Sequence, residues 1–121
     1  MSHESHETVE SAIAPGVSYE VVKMSFARRL DLMRKVRDLA RRAEFAGAGG
    51  GAEDRMESAV LRAEIDGLWV KWGLRGVTGL VLDGADATPA TLAEAGPEDL
   101  FREALRAVRK AAGLEEAERK N

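Results

Sequence analysis

The side chains able to do chemistry are few in this 121-residue chain, and they lie far apart. There is no cysteine, which excludes a disulfide framework, a thiolate zinc site, an iron–sulfur cluster and a cysteine nucleophile. The two histidines, His3 and His6, leave no internal imidazole for acid–base or triad work. As metal ligands they would need one or two further held donors, so they read as incidental to a polar tail. Asp83 and Asp86 flank an Asp83-Gly84 pair. A cation site or acid pair is the chemical reading of them, and turn formation is the simpler one. The glycine-rich residues 46–52 invite a phosphate cradle, but no buried strand precedes them and no Gly-Lys-Ser/Thr follows. Aromatic residues are 5% of the chain, too few for an aromatic pocket or a base-stacking platform. No nucleophile–base pair and no cofactor motif stands out. The expectation is a protein that is not an enzyme, carries no cofactor and works by contact.

Two features bear on contact. Trp69 and Trp72 stand three apart in one helical stretch. Trp is favoured at binding hot spots; packing is the reading for Trp72, while Trp69 divides between core and partner. The second feature is charge. From Lys23 to Glu44 eight Lys/Arg stand against three acids, a local net of +5, in a chain whose net is −3, which leaves −8 elsewhere. A basic helix of this kind can contact phosphates, meet an acidic face, or simply be solvated. The overall acidic balance makes a nucleic-acid-binding module the alternative rather than the leading reading.

The elements that must position these residues follow from periodicity. Residues 1–17 are polar and end in Ala14-Pro15-Gly16, which predicts a flexible N-terminal tail. Residues 18–114 form the expected single domain, mainly α (α+β), of three to four helices with a short β-hairpin near residues 77–87; residues 115–121 are a charged C-terminal tail. Residues 18–24 read as a short strand or a lead-in to a helix. A first long helix spans 25–45, capped by Ser25, with Phe26, Leu30, Met33, Val36 (with Leu39 and Ala40) and Ala43 as its apolar stripe and Leu32 off that stripe. A flexible loop over 46–52 joins it to a second helix over 53–72. That helix carries Met56, Val60, Leu61, Ile65, Leu68 and Trp72 on its stripe, with Trp69 at the edge. Gly67 marks a close approach by a neighbour, and Gly73-Leu74 has the shape of a Schellman stop. Asp83-Gly84 turns the hairpin, which packs through Leu80 and Leu82. Thr88 caps a short helix with Pro89 at its first position. Pro97 opens the last helix, with Leu100, Phe101, Leu105, Val108 and Ala112 inward and a second stop at Gly113-Leu114. No run is long and apolar enough to span a bilayer, and the acidic start is not a secretory signal. A cytoplasmic location without membrane contact is expected.

The second half carries a series of residues in a particular order. Trp72-Gly73-Leu74 is followed by Val77-Thr78-Gly79-Leu80, Asp83-Gly84, Ala87-Thr88-Pro89, Leu92, Gly96-Pro97, Leu100 and the closing Glu118-Arg119-Lys120-Asn121. Over residues 60–121 this resembles the tail assembly chaperones of long-tailed phages and prophages. The resemblance implies a protein that coats the helical tape measure protein, keeps it soluble and helps recruit tail tube subunits, with a homo-oligomer as a further candidate assembly. A structural tail or connector component is the other phage-related alternative. The contact candidates under this reading are Trp69, Leu74 and Leu80 near the helix–hairpin junction, and Arg34, Arg37 and Arg41 on the charged face.

Overall fold

A computed structural model describes residues 1–113. The expected stop at Leu114 and the charged tail over 115–121 lie outside the described residues. The order of elements is β1 (His6–Glu10), β2 (Ser18–Val22), α1 (Phe26–Ala48), α2 (Ala52–Gly73), β3 (Leu74–Thr78), β4 (Val81–Leu82), β5 (Ala85–Asp86), α3 (Pro89–Ala95) and α4 (Glu98–Ala111). The mainly helical α+β class is as expected. The chain divides into two compact units, one of residues 1–24 with 69–113 and one of residues 25–68.

The first unit is built on an antiparallel sheet in the order β1-β2-β3. Tyr19 lies opposite both Val9 and Val77, which places β2 at the centre. Its residues alternate: Tyr19 and Val21 are fully buried while Ser18, Glu20 and Val22 are half-buried, the period of two that a one-sided sheet requires. Helix α4 packs against β2, and α3 against β3. Leu92, Leu100, Ala104, Leu105 and Val108 complete this core.

The predicted tail is therefore corrected. Residues 6–10 pair with β2 along their whole length, from His6 opposite Val22 to Glu10 opposite Ser18. HETVE shows little apolar alternation because an edge strand is held by main-chain hydrogen bonds more than by buried side chains. The connection that follows is also closed. Ser11 N–H donates to Val17 O at 2.8 Å, the Ser11 hydroxyl accepts from Ala14 N–H at 2.9 Å, and Gly16 turns with φ +84°.

The hairpin expected over 77–87 is shorter. Val81–Leu82 and Ala85–Asp86 pair, extended by the bond from Ala87 N–H to Leu80 O at 2.9 Å, around Asp83 (φ +50°) and Gly84 (φ +82°), two left-handed residues in succession as a tight two-residue hairpin loop demands. Val77 and Thr78 belong instead to β3 and face β2. The turn role of Asp83 is thereby accounted for. Gly73 does not adopt the positive φ of a Schellman stop. It ends α2 directly into β3, and a Cβ there would collide with the side chain of Val108 on α4. Thr88 caps α3 as expected, with Thr91 reciprocating to form a capping box. Pro97 occupies the cap position of α4 rather than its first turn.

In the second unit, α1 and α2 are joined by a three-residue turn, residues 49–51, in place of the predicted seven-residue loop. Ala46 is buried, and Gly47 lies where a Cβ would just touch the Ser58 hydroxyl at 3.4 Å, so the helix gains by continuing. Gly50 supplies φ +75°, and the Arg55 guanidinium donates to Gly50 O at 2.7 Å. Ser58 on α2 donates to Ala43 O on α1 at 2.9 Å, a buried bond between the two helices. Ser25 caps α1 as expected, accepting from Arg28 N–H.

The inward face of α1 is the predicted one only in part. Val36 and Ala43 are buried as expected, together with Leu32, set off the predicted stripe, and Ala46, placed in the predicted loop, whereas Phe26, Leu30 and Met33 are exposed. Near the turn, close approach to α2 favours the small Ala43 and Ala46. On α2, Leu61 is buried as expected but Met56 and Val60 are exposed. No atom lies within 4 Å of where a Gly67 Cβ would stand, so that glycine marks no close approach.

Candidate functional site

Two of the six predicted contact residues are taken up by packing. Trp69 is 5% exposed and Leu74 3% exposed, both in the core of the sheet-bearing unit. Neither offers a side chain to a partner in this conformation. Trp72, assigned to the core, is half-buried, and so is Leu80. Of the two readings open for Trp69, the structure shows the core one.

The three arginines are placed differently. Arg34, Arg37 and Arg41 are all exposed on α1, and their spacing of three and four sets them on one helical face. Arg34 leans back to Asp31 at 3.4 Å, an exposed pair of little energetic weight. The same side of α1 carries Phe26, 83% exposed, and Phe45, 85% exposed, with Leu30 and Met33 between the first of these and the arginines. The outer face of α1 thus runs apolar, basic, apolar along its length. Monomeric domains rarely expose apolar side chains this contiguously without a use for them. The sequence reading named the arginines and missed Phe45, because it ended the apolar stripe at Ala43. The available signal was the 3–4 spacing from Arg37 through Arg41 to Phe45.

Near the turn, α1 and α2 bound an open groove of about 910 Å³ lined by Arg41, Arg42, Phe45, Asp54, Glu57 and Leu61 among others. Its base is apolar, with arginines on the α1 side and carboxylates on the α2 side.

Two perturbed ionisable groups, Tyr19 and Glu103, lie together elsewhere. Glu103 on α4 accepts from the Ser11 hydroxyl at 2.5 Å, from the Tyr19 hydroxyl at 2.7 Å and from Ala12 N–H at 2.8 Å. Burial pushes its carboxyl up, yet the hydrogen bonds from Ser11, Tyr19 and the backbone outweigh it and hold the group below its ordinary value. Burial, aided by Glu103, pushes the Tyr19 hydroxyl well above its usual range. The cluster ties the β1–β2 connection to α4. Its donors and acceptor are mutually satisfied, which marks a structural clamp. On the other face of the sheet, Glu20 accepts from Thr8 at 2.8 Å and lies 3.6 Å from His6, whose ring meets Arg75 at 2.9 Å.

Among the described residues no group of three His, Asp or Glu side chains is placed to hold a metal ion, and no helix is long and apolar enough to cross a membrane. No family model matches the chain, and neither a curated protein nor a solved structure matches it.

Proposed function

We propose that the protein is a non-enzymatic tail assembly chaperone, which binds the helical tape measure protein, keeps it soluble and helps recruit tail tube subunits. The observation that carries this reading is the outer face of α1. It combines exposed Phe26, Leu30, Met33 and Phe45 with Arg34, Arg37 and Arg41 on a helix whose opposite side is buried. An amphipathic helical client lays its apolar stripe into such a surface, while the arginines select acidic residues on its flanks. A long helical client with uncovered apolar stripes aggregates until it is coated, and coating needs no bond to be made or broken. The residue series from Trp72 to Leu100 supports the same reading.

Co-expression with a tape measure protein tests the proposal. A gain in that protein's soluble yield and its co-purification with this chain are expected. A nucleic-acid module would instead bind DNA or RNA with an affinity falling steeply in salt. The interleaving of phenylalanine, leucine and methionine with the arginines favours a protein client over a phosphate backbone.

A further inference from the structure

Strand β1 is an outer strand of the three-stranded sheet, with β2 as its neighbour. Two bonds at its ends show which way its main chain faces. Lys23 N–H donates to Ser5 O at 2.9 Å, and Ser11 N–H donates to Val17 O at 2.8 Å. Both pairs continue the register that sets Glu7 opposite Val21 and Val9 opposite Tyr19. Bonded and non-bonded pairs alternate along an antiparallel ladder. Ser5, Glu7, Val9 and Ser11 therefore turn their main-chain groups toward β2, while His6, Thr8 and Glu10 turn theirs to the open edge. Among the described residues no main-chain partner meets those outward groups.

The two faces of this edge differ. Tyr19 and Val21 are buried on the face toward α4, and half-buried Val9, opposite Tyr19, shares that face. His6, Thr8 and Glu10 share the other face with Glu20, which accepts from Thr8 and lies 3.6 Å from His6. Arg75 occupies the His6 end of that row. Residues 1–17 hold three acids, Glu4, Glu7 and Glu10, and no Lys or Arg; all three acids are exposed. Charge on an open edge discourages pairing with a like edge. Two copies joined through β1 would bring three carboxylates from each together with no Lys or Arg from either strand to answer them. A basic strand meets no such penalty.

We propose that β1 is a docking edge for an extended segment of another protein, added antiparallel as a fourth strand, with basic residues opposite Thr8 and Glu10 and apolar residues opposite Glu7 and Val9. Main-chain bonds to His6, Thr8 and Glu10 hold the segment, and its alternation gives the selectivity. Its basic side chains meet Glu10 and Glu20 on the open face. Its apolar side chains cover the free flank of Val9 on the other. Nothing in this contact involves α1 or a helical client, so it stands apart from the function proposed above.

The blocked peptide Val-Lys-Val-Lys-Val-Thr-Val is the probe, titrated into the isotope-labelled full chain at about 50 mM salt and followed by NMR. Its threonine falls opposite His6, where Arg75 would repel a lysine. The amides of His6, Thr8 and Glu10 are expected to gain protection from hydrogen exchange on binding. Those of Glu7 and Val9, already bonded to β2, are protected with or without the peptide. Two N-methylated peptides separate strand addition from charge attraction. Methylating both lysine main-chain nitrogens, which face β1, is expected to weaken binding about tenfold or more. Methylating the central valine nitrogen, which faces away, is expected to change it by about twofold or less. On the protein side, Thr8→Pro removes an outward N–H that β2 does not use and is expected to weaken binding about tenfold with unchanged far-UV circular dichroism. If that variant misfolds, Glu10→Lys replaces it. It is expected to bind the lysine peptide several-fold more weakly, and the same peptide with glutamate for lysine more tightly. No gain of protection at His6, Thr8 and Glu10 with about 1 mM peptide overturns the proposal. So does equal binding by the lysine-methylated peptide, which would show charge attraction alone. Loss on methylating the valine overturns it as well, because the two faces would then be exchanged. Each failure leaves the tape measure reading standing, since no helical client is present.

Discussion

The Tyr19 hydroxyl donates to the Glu103 carboxylate at 2.7 Å, joining a β2 residue to an α4 residue 84 positions later in the chain. The same carboxylate holds Ser11 and Ala12, so one side chain anchors the central strand and the connection that leads into it. Replacing Glu103 with Ala removes the acceptor of Ser11 and Ala12 and leaves the Tyr19 hydroxyl only its longer bond to Leu100 O at 3.3 Å, and should cost about 1–3 kcal/mol in a denaturant titration. An effect below about 0.5 kcal/mol, the range of an ordinary surface substitution, would remove the clamp from the account.

The clamp also fixes a pH dependence. Glu103 is held below its ordinary value when folded, so the folded state binds its proton less readily than the unfolded chain does. Its contribution is complete above the unfolded value of about 4.3 and is lost as pH falls through the lower folded value. Unfolding followed from about pH 6 to about pH 3 should show this loss in the wild type. In Glu103→Gln the slope attributable to this group should vanish. Equal slopes in both proteins would contradict the assignment.

Gly73 stands where α2 meets β3, and a Cβ there would meet the Val108 side chain. Gly73→Ala should lower stability by about 1–3 kcal/mol through overpacking, despite alanine's better helix propensity. Gly67→Ala, with open space around it, should be neutral or stabilising by up to about 1 kcal/mol. Thermal melts of the two variants, read side by side, separate a packing glycine from a merely tolerated one.

The Thr88–Thr91 capping box makes a third local test. Thr88 Oγ1 accepts from Thr91 N–H at 3.1 Å, and Thr91 Oγ1 accepts from Thr88 N–H at 2.8 Å. Thr88→Ala should cost about 1 kcal/mol, and Thr88→Ser most of it back. Comparable stability of the serine and alanine variants would show that the cap bond is not the reason for threonine there.

How far these elements were legible varied with what holds each one. Thr88-Pro89, Asp83-Gly84 and Ser25 were readable because caps and turns are local chemistry. Helix α2 was placed within a residue at each end by its uninterrupted pattern. Strand β1 was not visible, since its stability comes from pairing with β2 across the chain rather than from the side chains of His6–Glu10. The inward face of α1 was only partly legible because apolar residues occupy much of its circumference. Periodicity found Val36 and Ala43 but also took in the exposed Phe26, Leu30 and Met33, while the buried Leu32 and Ala46 lay outside the stripe. At the candidate site, Arg34, Arg37 and Arg41 were chosen from charge, and the structure leaves all three exposed. Trp69 and Leu74 were chosen for residue type, and the fold uses both in its core.

The soluble yield of a tape measure protein tests the proposed function most directly, when that protein is co-expressed with wild-type chain and with the Phe26→Ser, Phe45→Ser variant. Both phenylalanines are exposed, so the variant should fold with stability within about 0.5 kcal/mol of wild type. The account predicts that the wild type raises the client's yield and that the folded variant does so several-fold less. Equal yields with wild type, variant and empty vector would contradict it.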